Sequence, residues 1–253
     1  MNAERLALLG WGRAILLQLA HPLVAAGVYE HSAFRAGSRV AAARLHATVR
    51  AMLALTFGTD AERESALHAI RTIHQRVHGT LPMAVGPFPA GTRYSAEDPA
   101  LVLWVHLTLL ESLPLVYELF VAPLSARDRD DYCEEAAWVA VALGARPEDV
   151  PRTWSAMQAQ LACAYASGRI AVGPQALELA RAVLSPTLGR IFPPGAWFNR
   201  LVTTALLPPP VREQYGLPWN PHRERVLAAA IPAVGAVRRR LPDRLALWGE
   251  ARG

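Results

Sequence analysis

The sequence predicts an all-α protein, a single globular domain of about ten helices. Three observations lead there. Apolar residues recur three and four positions apart over most of the chain, and hardly any stretch alternates as a half-buried strand does. The 253 residues are 52% apolar and 19% charged, enough to close a large core. No internal repeat or linker-like stretch divides them, so residues 1–253 read as one domain.

Glu4 to Ala20 places Leu6, Leu9, Arg13, Leu16, Leu17 and Ala20 near one another on a first helix. Pro22 bends or restarts it, and a second helix runs to about Phe34. Arg39 to Phe57 continues the pattern until Gly58 stops it, and Thr59-Asp60 caps the next helix. That helix is expected from Ala61 to His78, ending at Gly79. From Leu81 to Pro99 the density of proline and glycine predicts a long loop, the kind that is often functional. Asp98-Pro99 caps a long apolar helix, Ala100 to Val121, and Ser125 with Asp128 caps another to Leu143. Pro147 to Pro151 is a link, and further helices are expected at 152–166, 174–184, 194–207 and 222–237. Pro208, Pro209 and Pro210 separate the last two.

The chain carries 26 basic and 21 acidic residues, a net charge of +5, and no lysine. Schiff-base, phosphate-loop and lysine-base chemistry is therefore excluded. Arginine stays protonated and presents a planar fork of donors, so the cations here hold anions. Apart from Arg238, Arg239 and Arg240 they are scattered among apolar helical stretches, which argues against nucleic acid as a partner. Cys133 and Cys163 fall on separate helices without metal-type spacing and read as buried thiols of a reducing compartment, which predicts a cytoplasmic protein. The longest apolar run, Ala14 to Val28, is interrupted by Gln18, His21 and Pro22. It falls short of the ~20 residues that cross a bilayer, so no transmembrane segment is expected. Ala25, Ala26 and Gly27 leave a signal-peptide reading open.

Four constellations could carry chemistry. On the expected helix, Arg71, His74 and His78 share a face, with His68 a further turn back. A solvated helix end, with His78 near the dipole's negative pole, explains this spacing most simply. A non-haem metal site on His74 and His78 needs a third ligand that no nearby pattern supplies. A haem site needs only one imidazole, an apolar pocket and arginines for the propionates. Spacing alone does not choose. Arg44 and Thr48 stand one turn apart and read equally as an exposed arginine beside a back-bonded threonine. His21 before Pro22, with Glu30-His31 beyond, sits in a stretch so apolar that these groups need partners or a role. His106, in Trp104-Val105-His106, reads equally as a core histidine satisfied by a carbonyl.

Taken in order, the runs Gly12-Arg13-Ala14 through His21-Pro22 to Val28, Glu30-His31-Ser32, Arg71-x-x-His74, Tyr94-Ser95-Ala96-Glu97-Asp98-Pro99, Trp104-Val105-His106 and Gly216-Leu217 resemble a known family. It is the oxygenase family of latex clearing protein (rubber oxygenase) and the fungal oxygenase of mycophenolic acid synthesis. The resemblance implies an all-α fold around haem b, with His74 as proximal iron ligand and Arg44, Thr48, Arg71 and His106 as cofactor-binding residues. It further implies dioxygen and a small apolar, isoprenoid-like substrate as partners, the substrate being oxygenated or cleaved at a carbon–carbon double bond. One position departs: latex clearing proteins carry a distal lysine just before the threonine, and here that residue is Ala47. His21, Glu30 and His31 are then the candidates for the catalytic group on the oxygen side. A haem-binding sensor, carrier or peroxidase-like protein without oxygenase turnover is the alternative, and a non-haem metal enzyme a further one.

Overall fold

The structure is a computed structural model that describes residues 1–31, 38–184 and 193–252, and side chains within these except at 38–46 and 252. The described residues hold twelve α-helices, two short 3-10 turns and one two-stranded sheet.

A 3-10 turn, Arg5–Ala7, leads into α1 (Leu8–Leu19), and α2 (Pro22–His31) leaves it at 104°. The bend falls where the sequence places it. Pro22 opens α2, where its missing N–H costs nothing, and the His21 carbonyl accepts from Ala25 N at 3.0 Å to start the new helix. The expected extension of α2 to Phe34 lies outside the described residues. α3 (Ser38–Phe57) ends at Gly58, and Thr59 caps α4 (Asp60–His74) through a reciprocal box with Glu62.

The long loop is not structureless. β1 (His78–Thr80) pairs antiparallel with β2 (Arg93–Ser95), placing Gly79 opposite Tyr94. Asp98 then caps α5 (Pro99–Phe120), and a box between Ser125 and Asp128 caps α6 (Ala126–Ala142). There follow α7 (Trp154–Ala166), α8 (Pro174–Leu184), α9 (Pro193–Leu206), a short α10 (Pro209–Gln214) within the expected proline spacer, α11 (Pro221–Arg240) and α12 (Asp243–Ala246).

The core forms around α1, which lies against α5, α8 and α9. Two glycines permit the close crossings. A Cβ on Gly10 would stand 2.8 Å from the Ser112 carbonyl oxygen of α5, and one on Gly12 would stand 2.2 Å from Thr203 Oγ1 of α9. The buried carboxyl end of α1 has no water for its last carbonyls, so side chains serve them: Trp104 Nε1 donates to Leu17 O at 3.2 Å and Tyr215 Oη to Leu16 O at 2.7 Å. Leu16, Leu17, Leu110, Met157 and Leu161 fill the space between.

One described helix, α5, is long and apolar enough to cross a membrane, and the α1–α2 pair would be too if it were one span. The expectation of no spanning segment weighed only the run at 14–28. In the fold α5 lies against α1, α6, α7 and α11, and its apolar surface serves the core on several sides.

Candidate functional site

His74 is the last residue of α4, four residues before the helix was expected to end. Gln75 caps it, Val77 N donates back to His74 O at 3.0 Å, and His78 leaves as the first residue of β1. The cause is non-local. Gly79 must lie extended across from Tyr94, whose hydroxyl would be 2.6 Å from any Cβ there, and this pulls the chain off the helix. His78 therefore does not stand one turn above His74, and the helical pair on which the non-haem metal reading depended is not formed. Among the described residues no group of three or more histidine, cysteine or acidic side chains could hold a metal ion.

The His74 side chain is half-buried, and its Nδ1 is buried without a partner. Burial lowers its pKa, against an opposing pull from Glu97, so the ring is neutral near pH 7. Arg71, one turn earlier, is exposed and donates Nε and Nη2 to the Ala142 carbonyl at 3.0 and 2.5 Å. It thus caps the carboxyl end of α6, where a cation is favoured, and lines an open cleft of about 550 Å³ with Asp60, Arg63, Glu64, Leu67 and Trp138.

Two further imidazoles share the state of His74. His21 is buried beside Phe88, ring centroids 5.3 Å apart, with Nδ1 unpartnered. Burial, helped by Arg169 and opposed by Asp98, pushes its pKa down to about 4. His106 on α5 has a buried, unpartnered Nε2, and burial alone takes it to about 4. Buried polar atoms are nearly always bonded, so three neutral imidazoles with one open nitrogen each are unusual. A neutral imidazole with one nitrogen left unbonded is the form of histidine that can serve as a metal ligand.

The same rings set a pH dependence. Both His21 and His106 have folded pKa values depressed below the unfolded value of about 6.5, so in acid the unfolded chain binds more protons. Their contribution is complete above about pH 6.5 and is lost as pH falls towards about 4. Urea denaturation across that window should show stability falling by a few kcal/mol, and His21→Gln should flatten the slope. An unchanged slope in that variant would count against a buried neutral His21.

Glu30 and His31 stand at the far end of α2, a ten-residue helix that spans about 15 Å, so they form a site apart from His21. The buried Tyr94 hydroxyl donates to Glu30 Oε2 and lies 3.4 Å from His31 Nε2, which in turn is 3.1 Å from the His78 carbonyl. Burial, and then the bond to Glu30, raises the pKa of Tyr94. Sequence reasoning placed Tyr94 only within a motif. Its inward position on a short strand opposite Gly79 was the signal available. Thr48 and its neighbour Ala47 are exposed on α3, and the Arg44 side chain lies outside the described residues.

A second missed group lies in the core. Arg13, noted on an apolar helix face and in the opening motif but given no role, is 3% exposed and donates to Glu111 Oε2 at 2.6 Å, Ser112 Oγ at 2.7 Å and Leu206 O at 2.7 Å. Gln158 Nε2 donates to the other Glu111 oxygen at 3.0 Å. A lone cation on the apolar α1 and a carboxylate in the middle of the apolar α5 were the visible signal.

No curated protein and no solved structure matches the chain. A model of the family described as ER-bound oxygenase mpaB/B'/rubber oxygenase, catalytic domain, matches residues 1–236. That span covers α1 through most of α11, including the bend at Pro22, the end of α4 at His74 and the hairpin behind it. The ordered motifs, the helical architecture and this match agree: the chain belongs to the mpaB and rubber oxygenase family, as an oxygenase catalytic domain.

Proposed function

We propose that the protein is a haem b-dependent oxygenase acting on a small apolar substrate of the isoprenoid kind, with His74 as the iron ligand. The observation that carries this reading is the His74 ring: neutral through burial, at a helix end, with a buried Nδ1 that no protein group satisfies. The chemistry that haem b supplies when bound is addition of dioxygen across a carbon–carbon double bond, or cleavage of that bond. By the family resemblance His74 would hold the cofactor, and Arg44, Thr48 and His106 would contribute to its surroundings, Thr48 from an exposed position on α3. Arg71 contributes by fixing the end of α4 to α6 rather than by meeting an anion. Glu30 would be the group that accepts and returns a proton, a role supported by its bond from the Tyr94 hydroxyl, which also lies beside His31. His21, neutral and enclosed by Phe88, is suited to a hydrogen bond in an apolar space. Cys133 is buried as expected whereas Cys163 is exposed on α7, and as two unpaired thiols they fit a cytoplasmic setting.

The test is the visible spectrum of protein expressed with haem available, together with haem by mass spectrometry. A Soret band that shifts on reduction with carbon monoxide is expected, and a colourless protein without haem would overturn the reading. Ala47, in the place of the distal lysine of latex clearing proteins, favours a second reading in which haem is bound without oxygenase turnover. Oxygen uptake with an unsaturated hydrocarbon separates the two, since a carrier or sensor consumes none.

A further inference from the structure

The carboxyl-terminal segment has features that the oxygenase reading does not use, and it lies beyond residue 236, where the family match ends. Val237, Leu241 and Leu245 are 56, 37 and 54% exposed, three large aliphatic side chains facing solvent within nine residues. Between them stand Arg239, Arg240 and Arg244, all exposed and none in an ion pair among the described residues. Asp243 is the one acidic residue between Val237 and Leu245.

Contacts on both sides hold this segment to the body. Before it, Arg238 grips Glu4 with two bonds, Nε to Oε2 at 2.7 Å and Nη2 to Oε1 at 2.6 Å. After it, Ala246 is buried, Leu247 pairs with Glu4, and Trp248 N donates to Ala3 O at 2.9 Å. Arg5 adds a bond to the Leu247 carbonyl at 3.1 Å and stacks 5.0 Å over the Trp248 ring. The helix stops at Arg240, and Pro242 opens α12, so the segment turns back with its aliphatic and cationic side chains displayed between two anchors.

We propose that this segment is a docking surface for an anionic phospholipid bilayer, with Leu241 and Leu245 entering the headgroup boundary and Arg239, Arg240 and Arg244 meeting lipid phosphates. Aliphatic side chains interleaved with arginines are the composition that settles at a membrane interface, where apolar burial and attraction to anionic lipid add. Arginine suits it further because its fork matches phosphate oxygens. Single-stranded nucleic acid would call for aromatic stacking faces in the stripe, which here is aliphatic. A second copy of the chain would bring the same three cations against themselves, so self-association is disfavoured.

The test is flotation of the full-length protein with vesicles of phosphatidylcholine and phosphatidylglycerol at 3:1, against phosphatidylcholine alone. Binding to the mixed vesicles and little to the neutral ones is expected. Arg239→Glu with Arg240→Glu should weaken it by about twentyfold or more, at about fivefold for each arginine removed. Leu241→Ser with Leu245→Ser should weaken it by about tenfold, through lost apolar insertion. Arg238 is left intact because it clamps Glu4, and both double variants should melt at the wild-type temperature. Equal binding to both vesicle types, or binding unaffected by either pair, overturns the proposal. So does binding lost with the arginines but kept without the leucines, which would indicate adsorption to surface charge without entry of the leucines into the headgroup boundary. Self-association abolished by the leucine pair, with no vesicle binding, overturns it in favour of a dimer.

Discussion

Glu111→Ala is expected to destabilise the protein by about 3–5 kcal/mol, a large part of the total stability of a domain. The carboxylate accepts from Arg13 and Gln158, and the side chains of the ion pair are 3% and 11% exposed. Removing it leaves a guanidinium in the core whose charge neither water nor another acid balances, since Ser112 and the Leu206 carbonyl are neutral. Arg13 lies between Gly12 and Ala14 on the central helix, so the region cannot open to admit water without separating α1 from α5 and α9. Arg13→Met should cost a similar amount by stranding the carboxylate. The two substitutions combined, Arg13→Met with Glu111→Ala, should cost clearly less than the sum, because neither charge then remains unpaired. The Leu206 carbonyl still loses its donor, so recovery should be incomplete. Chemical denaturation of the four proteins measures this. Additive costs would show that the pair is not coupled as its geometry implies.

The second large effect is functional. His74→Ala should reduce haem retention by more than about 100-fold, since loss of residues that only support a metal ligand already costs 10–100-fold. His78→Ala should retain the cofactor, because His78 has left α4 for β1, is exposed there, and meets His31 Nε2 through its backbone carbonyl. The readout is separate from turnover: the Soret band, and the rise in melting temperature when haem is added, which any ligand that binds the folded state alone must produce. Wild-type protein should show both and His74→Ala neither. A full Soret band in His74→Ala, or its loss in His78→Ala alone, would assign the iron to another residue. His106, with its own open nitrogen, would be examined next.

Much of the fold was legible because its signals are local. Thr59 with Glu62, Ser125 with Asp128, and Asp98 before Pro99 are cap patterns complete within three or four residues, and all three hold. Pro22 fixes the bend between α1 and α2 for the same reason. The missing lysine is likewise a property of composition, and it excluded whole reaction classes before any contact was known.

The site was less legible because contacts between distant residues decide it. The true end of α4 depends on Gly79 packing under Tyr94, a residue fifteen positions on in the next strand, and helix periodicity does not register such a neighbour. His21, Glu30 and His31, close in sequence, are set at opposite ends of a rigid helix, and only its length shows that they cannot act on one atom. By itself, then, the sequence determined the helical class, the caps, the bend and the oxygenase family, since each is written in short or ordered patterns. Only the tertiary structure decided which polar groups are paired and which are left open. Arg13 meets Glu111 across 98 residues, while His21, His74 and His106 each keep a buried nitrogen without a partner, because burial is a property of the packed core and not of any segment.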